Sequence, residues 1–241
     1  FPELVTEADV RGQVHLHTTW SDGRETLAAM AVAARARGYS YMGVSDHSRS
    51  LALTRGLTQD RVRRQWDEID ALNATFDDGF RLLKCTEMDI LEDGGLDFDD
   101  DLLEGFDLVI ASIHSGLAQP ADRITARLLA AIASPHVDVI GHPTGRKRPT
   151  RDGAPIDIDA VVKAAARTRT ILEVNGQPPR QDLDSDMARR ALEGGVRLLA
   201  SSDAHSAAEL GYVSYAIRIA RRAGATPADV ANCAPWPWGR G

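Results

Sequence analysis

Histidine and carboxylate side chains recur in this chain where they could act on one substrate. His15 and His17 stand two apart, so a strand would point both to one face. His47 closes Ser45-Asp46-His47, His114 closes Ser112-Ile113-His114, and His142 sits in Gly141-His142-Pro143. Asp203 and His205 fall in Ser202-Asp203-Ala204-His205, Glu87 follows the apolar run Leu82–Thr86, and Asp22 lies in Trp20-Ser21-Asp22-Gly23. Any one of these histidines alone is as well explained as a satisfied, partly buried side chain. Six of them at equivalent places, joined by Asp22, Glu87 and Asp203, are not. Nitrogen and oxygen donors without cysteine suit borderline divalent cations such as Zn²⁺, Mn²⁺ or Fe²⁺. Two or three such ions a few ångströms apart lower the pKa of a water toward about 7, clamp non-bridging oxygens and stabilise a leaving alkoxide. The chemistry implied is metal-assisted hydrolysis of a phosphoester.

Ser48 and Ser115 stand beside these histidines, but no base is left free to activate them as nucleophiles. Arg146, four residues after His142, is placed to reach a phosphate with its planar fork; the alternative is a solvated member of Arg146-Lys147-Arg148. Asn175 is expected to orient substrate or a metal-bound water. His136, at the opposite end of its strand from the others, is assigned to structure.

The elements that must position these residues follow from hydrophobic patterning. Short apolar runs predict strands at Gln13–His17, Tyr41–Ser45, Leu82–Thr86, Leu108–Ser112, Val137–Ile140, Ile171–Val174 and Arg197–Ala200. Helical periodicity predicts helices at Thr26–Arg37, Asp60–Phe76, Ala121–Ala133, Asp159–Arg167, Asp186–Glu193 and Val213–Ala223, with Thr226-Pro227 opening another. The acidic stretch from Glu92 to Asp101 lacks the ligand spacing of a calcium loop and reads as a solvated connection. Strict strand–helix alternation means a mostly parallel sheet with helices outside it. His15 and His17 lie on the first predicted strand and the other candidate ligands follow strands, at the ends where parallel α/β sheets bind their ligands, and convergence from so many strands is easiest if the sheet closes into a barrel.

The 241 residues fit one domain. Nothing approaches the roughly 20 apolar residues of a membrane span, and Phe1-Pro2-Glu3-Leu4 lacks the features of a signal peptide. Cys85 and Cys233 read as incidental thiols in a reducing cytoplasm. A net charge of −7 argues against gripping duplex DNA through a broad basic face, but not against a metal site acting on a phosphodiester.

His15-Leu16-His17-Thr18, Trp20-Ser21-Asp22-Gly23, Ser45-Asp46-His47-Ser48 and Ser202-Asp203-Ala204-His205 together resemble the polymerase and histidinol phosphatase (PHP) domain family, from Arg11 to about Ala223. Within it the chain is most similar to the C-terminal PHP domain of bacterial DNA polymerase family X. Pro2-Glu3-Leu4-Val5 through Val10-Arg11-Gly12, Gly56-Leu57-Thr58, Ser112-Ile113-His114-Ser115-Gly116 and Pro135-His136-Val137-Asp138 to Gly141-His142-Pro143-Thr144-Gly145-Arg146 carry the narrower likeness. The resemblance implies an α/β fold, a distorted seven-stranded (β/α) barrel with three metal ions at the C-terminal ends of its strands. His15, His17, Glu87 and Asp203 would hold one ion. Glu87, His114 and His142 would hold the second, and Asp22, His47 and His205 the third; on this division Glu87 would set the metal spacing, and Glu87, Asp203 and His142 would be the catalytic residues. Gln13, where the polymerase pattern usually has Asp, is expected off the ligand face.

The expected unit is a single PHP phosphoesterase domain, 1–241, with a leader at 1–10 and a C-terminal segment from about 225 to 241. With no initial Met, it is expected to be a piece of a longer polymerase chain. By resemblance its activity is a 3′–5′ exonuclease or 3′-end-processing activity in DNA repair, in the cytoplasm, with Mn²⁺ preferred. The DNA 3′ end would be its substrate and an upstream polymerase domain its partner in cis. The alternative is a stand-alone phosphatase of a small monoester such as histidinol phosphate or a nucleotide. A degenerate domain that only supports a polymerase is disfavoured, because all nine ligand positions hold competent residue types.

Overall fold

The computed structural model describes residues 3–238, so Phe1 and Pro2 of the expected leader and 239–241 of the C-terminal segment lie outside the described residues. Seven parallel strands follow one another in sequence order: β1 (Gly12–Gln13), β2 (Tyr41–Val44), β3 (Arg81–Asp89), β4 (Leu108–Ser112), β5 (Val139–Ile140), β6 (Ile171–Asn175) and β7 (Leu198–Ser201). Helices α1 (Leu27–Ala36), α2 (Gln59–Asn73), α3 (Asp100–Leu103), α4 (Ala121–Ala133), α5 (Ile158–Thr168), α6 (Ser185–Glu193) and α7 (Val213–Ala223) fill the connections. The strands carry apolar residues on both faces because one face lines the barrel and the other meets the helices. Val14, Tyr41, Leu83, Cys85, Leu108, Ile110, Val139, Ile171 and Leu199 pack together, one or two from each strand or its continuation. Gly43 belongs to this interior by necessity, since a Cβ there would come within 2.5 Å of the Cys85 sulfur.

The helices start and bury as their sequences require. Thr26, Thr58, Asp157 and Asp184 accept backbone N–H groups at the starts of α1, α2, α5 and α6. Leu27, Met30, Ala31 and Ala34 form the buried stripe of α1.

The barrel is nearly closed. At the top Leu16 bridges Ala204, and the His17 N–H donates to the Ala204 carbonyl at 2.8 Å. At the bottom the gap between β1 and β7 is filled by the turn Ala231–Cys233. The Asn232 side-chain amide donates to the carbonyls of Gly12 (2.9 Å) and Ala200 (2.8 Å), and its oxygen accepts the Ala200 N–H at 3.1 Å. One side chain stands in for the missing strand pairing.

Four expectations need correction. The ladder of β1 ends at Gln13, not His17, because the Ser45 hydroxyl takes over the next pairing, accepting from Leu16 N–H (2.9 Å) and donating to Leu16 C=O (3.0 Å). The irregularity breaks strict alternation. Val14 stays in the interior while Gln13, which alternation from His15 would turn inward, donates outside to the Tyr39 hydroxyl and the Leu210 carbonyl. Glu87 lies within β3 rather than after it, paired in register with Ile110. The acidic stretch buries Asp97 and Phe98 and runs into α3 at Asp100, and so is more than a solvated connection. Thr226-Pro227 opens only the single turn Pro227–Asp229, because Val230 must pair with Leu198 and Asn232 must reach the seam. Among the described residues no helix is long and apolar enough to cross a membrane. Cys85 is buried and Cys233 half-buried, both as free thiols.

Candidate metal centre

The C-terminal ends of the strands bring His15, His17, Asp22, His47, Glu87, His114, His142, Asp203 and His205 together. Glu87 is the hub. Its Oε1 faces His142 Nε2 (2.8 Å) and His114 Nε2 (3.2 Å), while its Oε2 faces His47 Nδ1 (3.0 Å), His15 Nε2 (3.4 Å) and His17 Nε2 (3.5 Å). Asp203 Oδ1 completes the second group, 3.2 Å from His17 Nε2 and 3.7 Å from His15 Nε2. Toward solvent, Asp22 lies 3.4 Å from His205 Nε2, 3.6 Å from His47 Nε2 and 3.7 Å from His17 Nδ1. Donor atoms of His17, Asp22, His47 and His205 all lie within 4.8 Å of one another, as do those of His15, His17 and Glu87, of His15, His142 and Asp203, and of His47, Glu87 and His114. His17 and His47 each present one ring nitrogen to Glu87 and the other to Asp22, so both stand between the inner and outer groups.

Whether these residues fit cations can be tested on their own hydrogen bonding. Buried polar atoms ordinarily find partners. Here His15 Nε2, His17 Nδ1 and Nε2, His47 Nδ1, His114 Nε2 and His142 Nδ1 are buried without a hydrogen-bond partner, and all but the last face a carboxylate of the cluster. Lone pairs aimed at carboxylate oxygens are repulsive unless a proton or a cation lies between them. The donor set fits divalent ions.

Electrostatics give the same reading. Burial opposes a charge on His15, but Glu173, Glu87 and Asp203 outweigh it and hold its pKa well above the usual range. Burial likewise resists ionisation of Glu87, yet His114, His15 and His47 hold it well below the carboxylate range. Asp203 is held low against burial by His15, His17 and Arg180. Burial together with neighbouring cations lowers His17, and burial with Arg180 takes His142 down to about 4, so both rings are neutral near pH 7. A neutral imidazole is the form that ligates.

A surrounding layer of residues fixes these rings and carboxylates. Glu173, fully buried on β6, accepts from His15 Nδ1 at 2.5 Å and from the His142 backbone N–H at 2.6 Å. This sets the His15 tautomer so that Nε2 points into the cluster. Gly141, just before His142, makes room for Ser112 and Ile110 of β4, whose side chains a Cβ there would strike. Asp89 lies 3.2 Å from His114 Nδ1. Asp46 accepts from the backbone and hydroxyl of both Thr18 and Ser21 and from the Gln65 amide, which pins the turn from His17 to Asp22. His142 and Asp203 both have positive φ, 23° and 50°. Non-glycine residues are held so only where their surroundings dictate it, and such strain concentrates at functional sites.

Glu173, Asp46, Asp89 and Arg180 were missed by sequence reasoning. For Glu173 a signal existed, a carboxylate inside the otherwise apolar run Ile171–Val174, two positions from Asn175 and hence on the same face. Asn175 does not face open space. Its amide donates to Asp203 (3.1 Å) and Glu173 (3.3 Å), and its oxygen accepts the Gln177 N–H, so it orients carboxylates. Arg146 is also directed elsewhere. Its side chain is buried against the Arg180 carbonyl (2.6 Å) and Asp184 (3.6 Å). The cations that line the cavity over the cluster are Lys147, Arg151 and Arg180, the last with Nε 3.2 Å from Asp203. This cavity holds about 350 Å³. His136 sits away from it, 3.5 Å from Asp100.

No family model matches the chain. Curated relatives do. The chain is 45% identical over 230 residues to the DNA polymerase/3′-5′ exonuclease PolX of Bacillus subtilis, a match covering 95% of this chain and 40% of that protein. It is 30% identical to a probable phosphatase of Edwardsiella ictaluri, over 92% of this chain and 89% of the relative. Among solved structures, the histidinol phosphate phosphatase of Lactococcus lactis, complexed with zinc, L-histidinol and phosphate, superposes with a TM-score of 0.60 at 18% identity, covering 87% of this chain and 93% of that one.

Proposed function

The chain belongs to the polymerase and histidinol phosphatase family, and from that premise we propose that this metal-dependent phosphoesterase acts as the 3′–5′ exonuclease, or 3′-end-processing, domain of a family X DNA polymerase in DNA repair. Hydrolysis is carried by one observation, the convergence of six histidines with Asp22, Glu87 and Asp203 under an open cavity. DNA as substrate is supported by the 45% identity to the Bacillus exonuclease, of whose length this chain spans 40%. On this reading 1–241 is one domain, joined in cis to a polymerase and acting in the cytoplasm.

Three divalent ions are proposed. His15, His17, Glu87 and Asp203 would hold the first, Glu87, His114 and His142 the second, and Asp22, His47 and His205 the third. The oxygen-bearing Asp22 suits Mn²⁺, while the imidazoles also accept Zn²⁺ or Fe²⁺. Bound there, such ions supply Lewis acidity and a water activated near neutral pH. The chain's own residues do the rest. Glu87 spans the inner groups with its two oxygens and fixes their separation. Glu173 keeps the His15 proton on Nδ1, leaving Nε2 as donor to the cluster. Arg180, beside Asp203, presents a cation to the cavity where a phosphate's non-bridging oxygens would lie. Arg146 bonds the Arg180 carbonyl and so serves substrate through the Arg180 loop, while Asn175 holds Asp203 and Glu173 in orientation. The Ser48 hydroxyl accepts the Asp89 N–H and is engaged in structure.

The second reading, a phosphatase of a small monoester, is favoured by the likeness to probable phosphatases along most of their length. Purified protein with Mn²⁺ should shorten a 5′-labelled single strand stepwise from its 3′ end, and His142→Ala should lose that activity while remaining folded. Release of phosphate from histidinol phosphate or a nucleotide, with the strand untouched, would favour the second reading instead.

A further inference from the structure

The cavity over the cluster has two lips of opposite chemistry. One is the turn 147–151, closed by the Lys147 N–H to the Arg151 carbonyl (2.9 Å) and the Arg151 N–H to the Lys147 carbonyl (2.8 Å). The Thr150 N–H and hydroxyl both donate to the Lys147 carbonyl, and Arg151 Nε donates to Gly145 at 2.9 Å. The turn is therefore rigid at its base. Lys147 and Arg151 nonetheless line the cavity, and among the described residues neither is ion-paired to a carboxylate. Burial and the nearby Arg180 lower the Arg151 pKa, which marks a concentration of positive charge. The other lip carries Leu51, Leu53 and Thr54, and Leu53 is 99% exposed. A leucine held wholly in water at the rim of a polar cavity has nothing to pack on until something enters.

A small monoester would be met by the floor alone, the cluster and Arg180. A polynucleotide end offers more: a second phosphate one nucleotide away from the scissile one, and a base with an apolar face. The chain carries a net charge of −7, so a polyanion is repelled at long range and must be held by locally unpaired cations. The lips provide both complements.

We propose that the mouth binds the 3′ end of a single DNA strand, with the phosphodiester adjacent to the scissile one on Lys147 and Arg151 and a base packed against Leu51 and Leu53. This rests on the exonuclease reading and adds to it a preference for substrates with at least two phosphodiesters. Such a contact is charge-assisted, sequence-independent and weakened by salt.

The test compares kcat/KM, with Mn²⁺, for the trinucleotide dTpdTpdT and the dinucleotide dTpdT. The wild-type protein is expected to prefer the trinucleotide by about tenfold. The Lys147→Ala/Arg151→Ala double variant should bring that ratio close to one, and Lys147→Arg should preserve it. Leu53→Ser should raise KM for the trinucleotide but not for the same substrate lacking its terminal base. A double variant that keeps the wild-type ratio, or a wild type without preference, overturns the assignment while the exonuclease reading stands. Cleavage of neither substrate, alongside release of phosphate from p-nitrophenyl phosphate, overturns the exonuclease reading and this inference with it.

Discussion

Glu173 shows how much a residue outside the cluster can control. With one oxygen it fixes the His15 ring and with the other the backbone of His142, so it holds two cluster histidines from behind. Glu173→Gln keeps the shape but turns an N–H donor toward one of two groups that themselves donate. Metal affinity should fall roughly 10–100-fold, as for other residues that orient ligands from behind, measured by competition with a chelator; unchanged affinity would remove Glu173 from that role. Asp46 acts similarly on the turn from His17 to Asp22, where every bond it makes is as an acceptor. Asp46→Asn puts an amide donor among donors. The loss should be confined to the outer ion proposed for Asp22, His47 and His205, so metal analysis should find one ion fewer per chain with the inner ions retained.

Among the elements, the seam between β1 and β7 is the weak line of the barrel, and Asn232 spans it. Asn232→Ala would strand two buried carbonyls and one N–H that its amide now satisfies. A cost of about 3 kcal/mol is expected, given roughly 1–3 kcal/mol per unsatisfied buried group. Urea denaturation should show it as a lower midpoint at unchanged slope, and a change under about 0.5 kcal/mol would mean the seam closes without Asn232. Nothing in the sequence pointed to this residue, because a side chain replacing a strand leaves no periodicity. Where periodicity exists the reading was close: β4, α4 and α7 fall on their predicted bounds, since each has a continuous apolar run or stripe with a clear stop. The gathering of the histidines was legible for a related reason, as strand ends place residues far apart in sequence at one end of the barrel. The contacts of Arg146 and Asn175 were not, because sequence position tells which loop a side chain leaves but not which neighbour it meets.

For the whole molecule, protons and metal ions compete for the same buried charge. Glu87, Asp203, Glu173 and Asp22 are all held below the usual carboxylate range, and without ions most of the opposing charge comes from protonated histidines, with Arg180 beside Asp203. His15, His114 and His205 are raised above their usual 6.5, and His47 is pushed up to about 10, each against burial and by the carboxylates around it. A histidine whose pKa is higher in the folded state binds its proton more tightly there. Its contribution is therefore complete below about pH 6.5 and is lost as pH rises through the folded value. The depressed carboxylates contribute above about pH 4 and lose that contribution as the pH falls. Metal-free protein should thus be most stable at about pH 5–6.5 and should lose Tm steadily from pH 6.5 to 9. Mn²⁺ or Zn²⁺ needs the histidines deprotonated, so binding releases protons and strengthens as the pH rises over the same interval. Calorimetric scans with EDTA and with metal should diverge progressively above pH 6.5, the metal-bound protein holding its Tm while the chelated protein declines. A chelated protein whose Tm stays level or rises across that interval would show that the buried carboxylates are balanced by something other than protonated histidine.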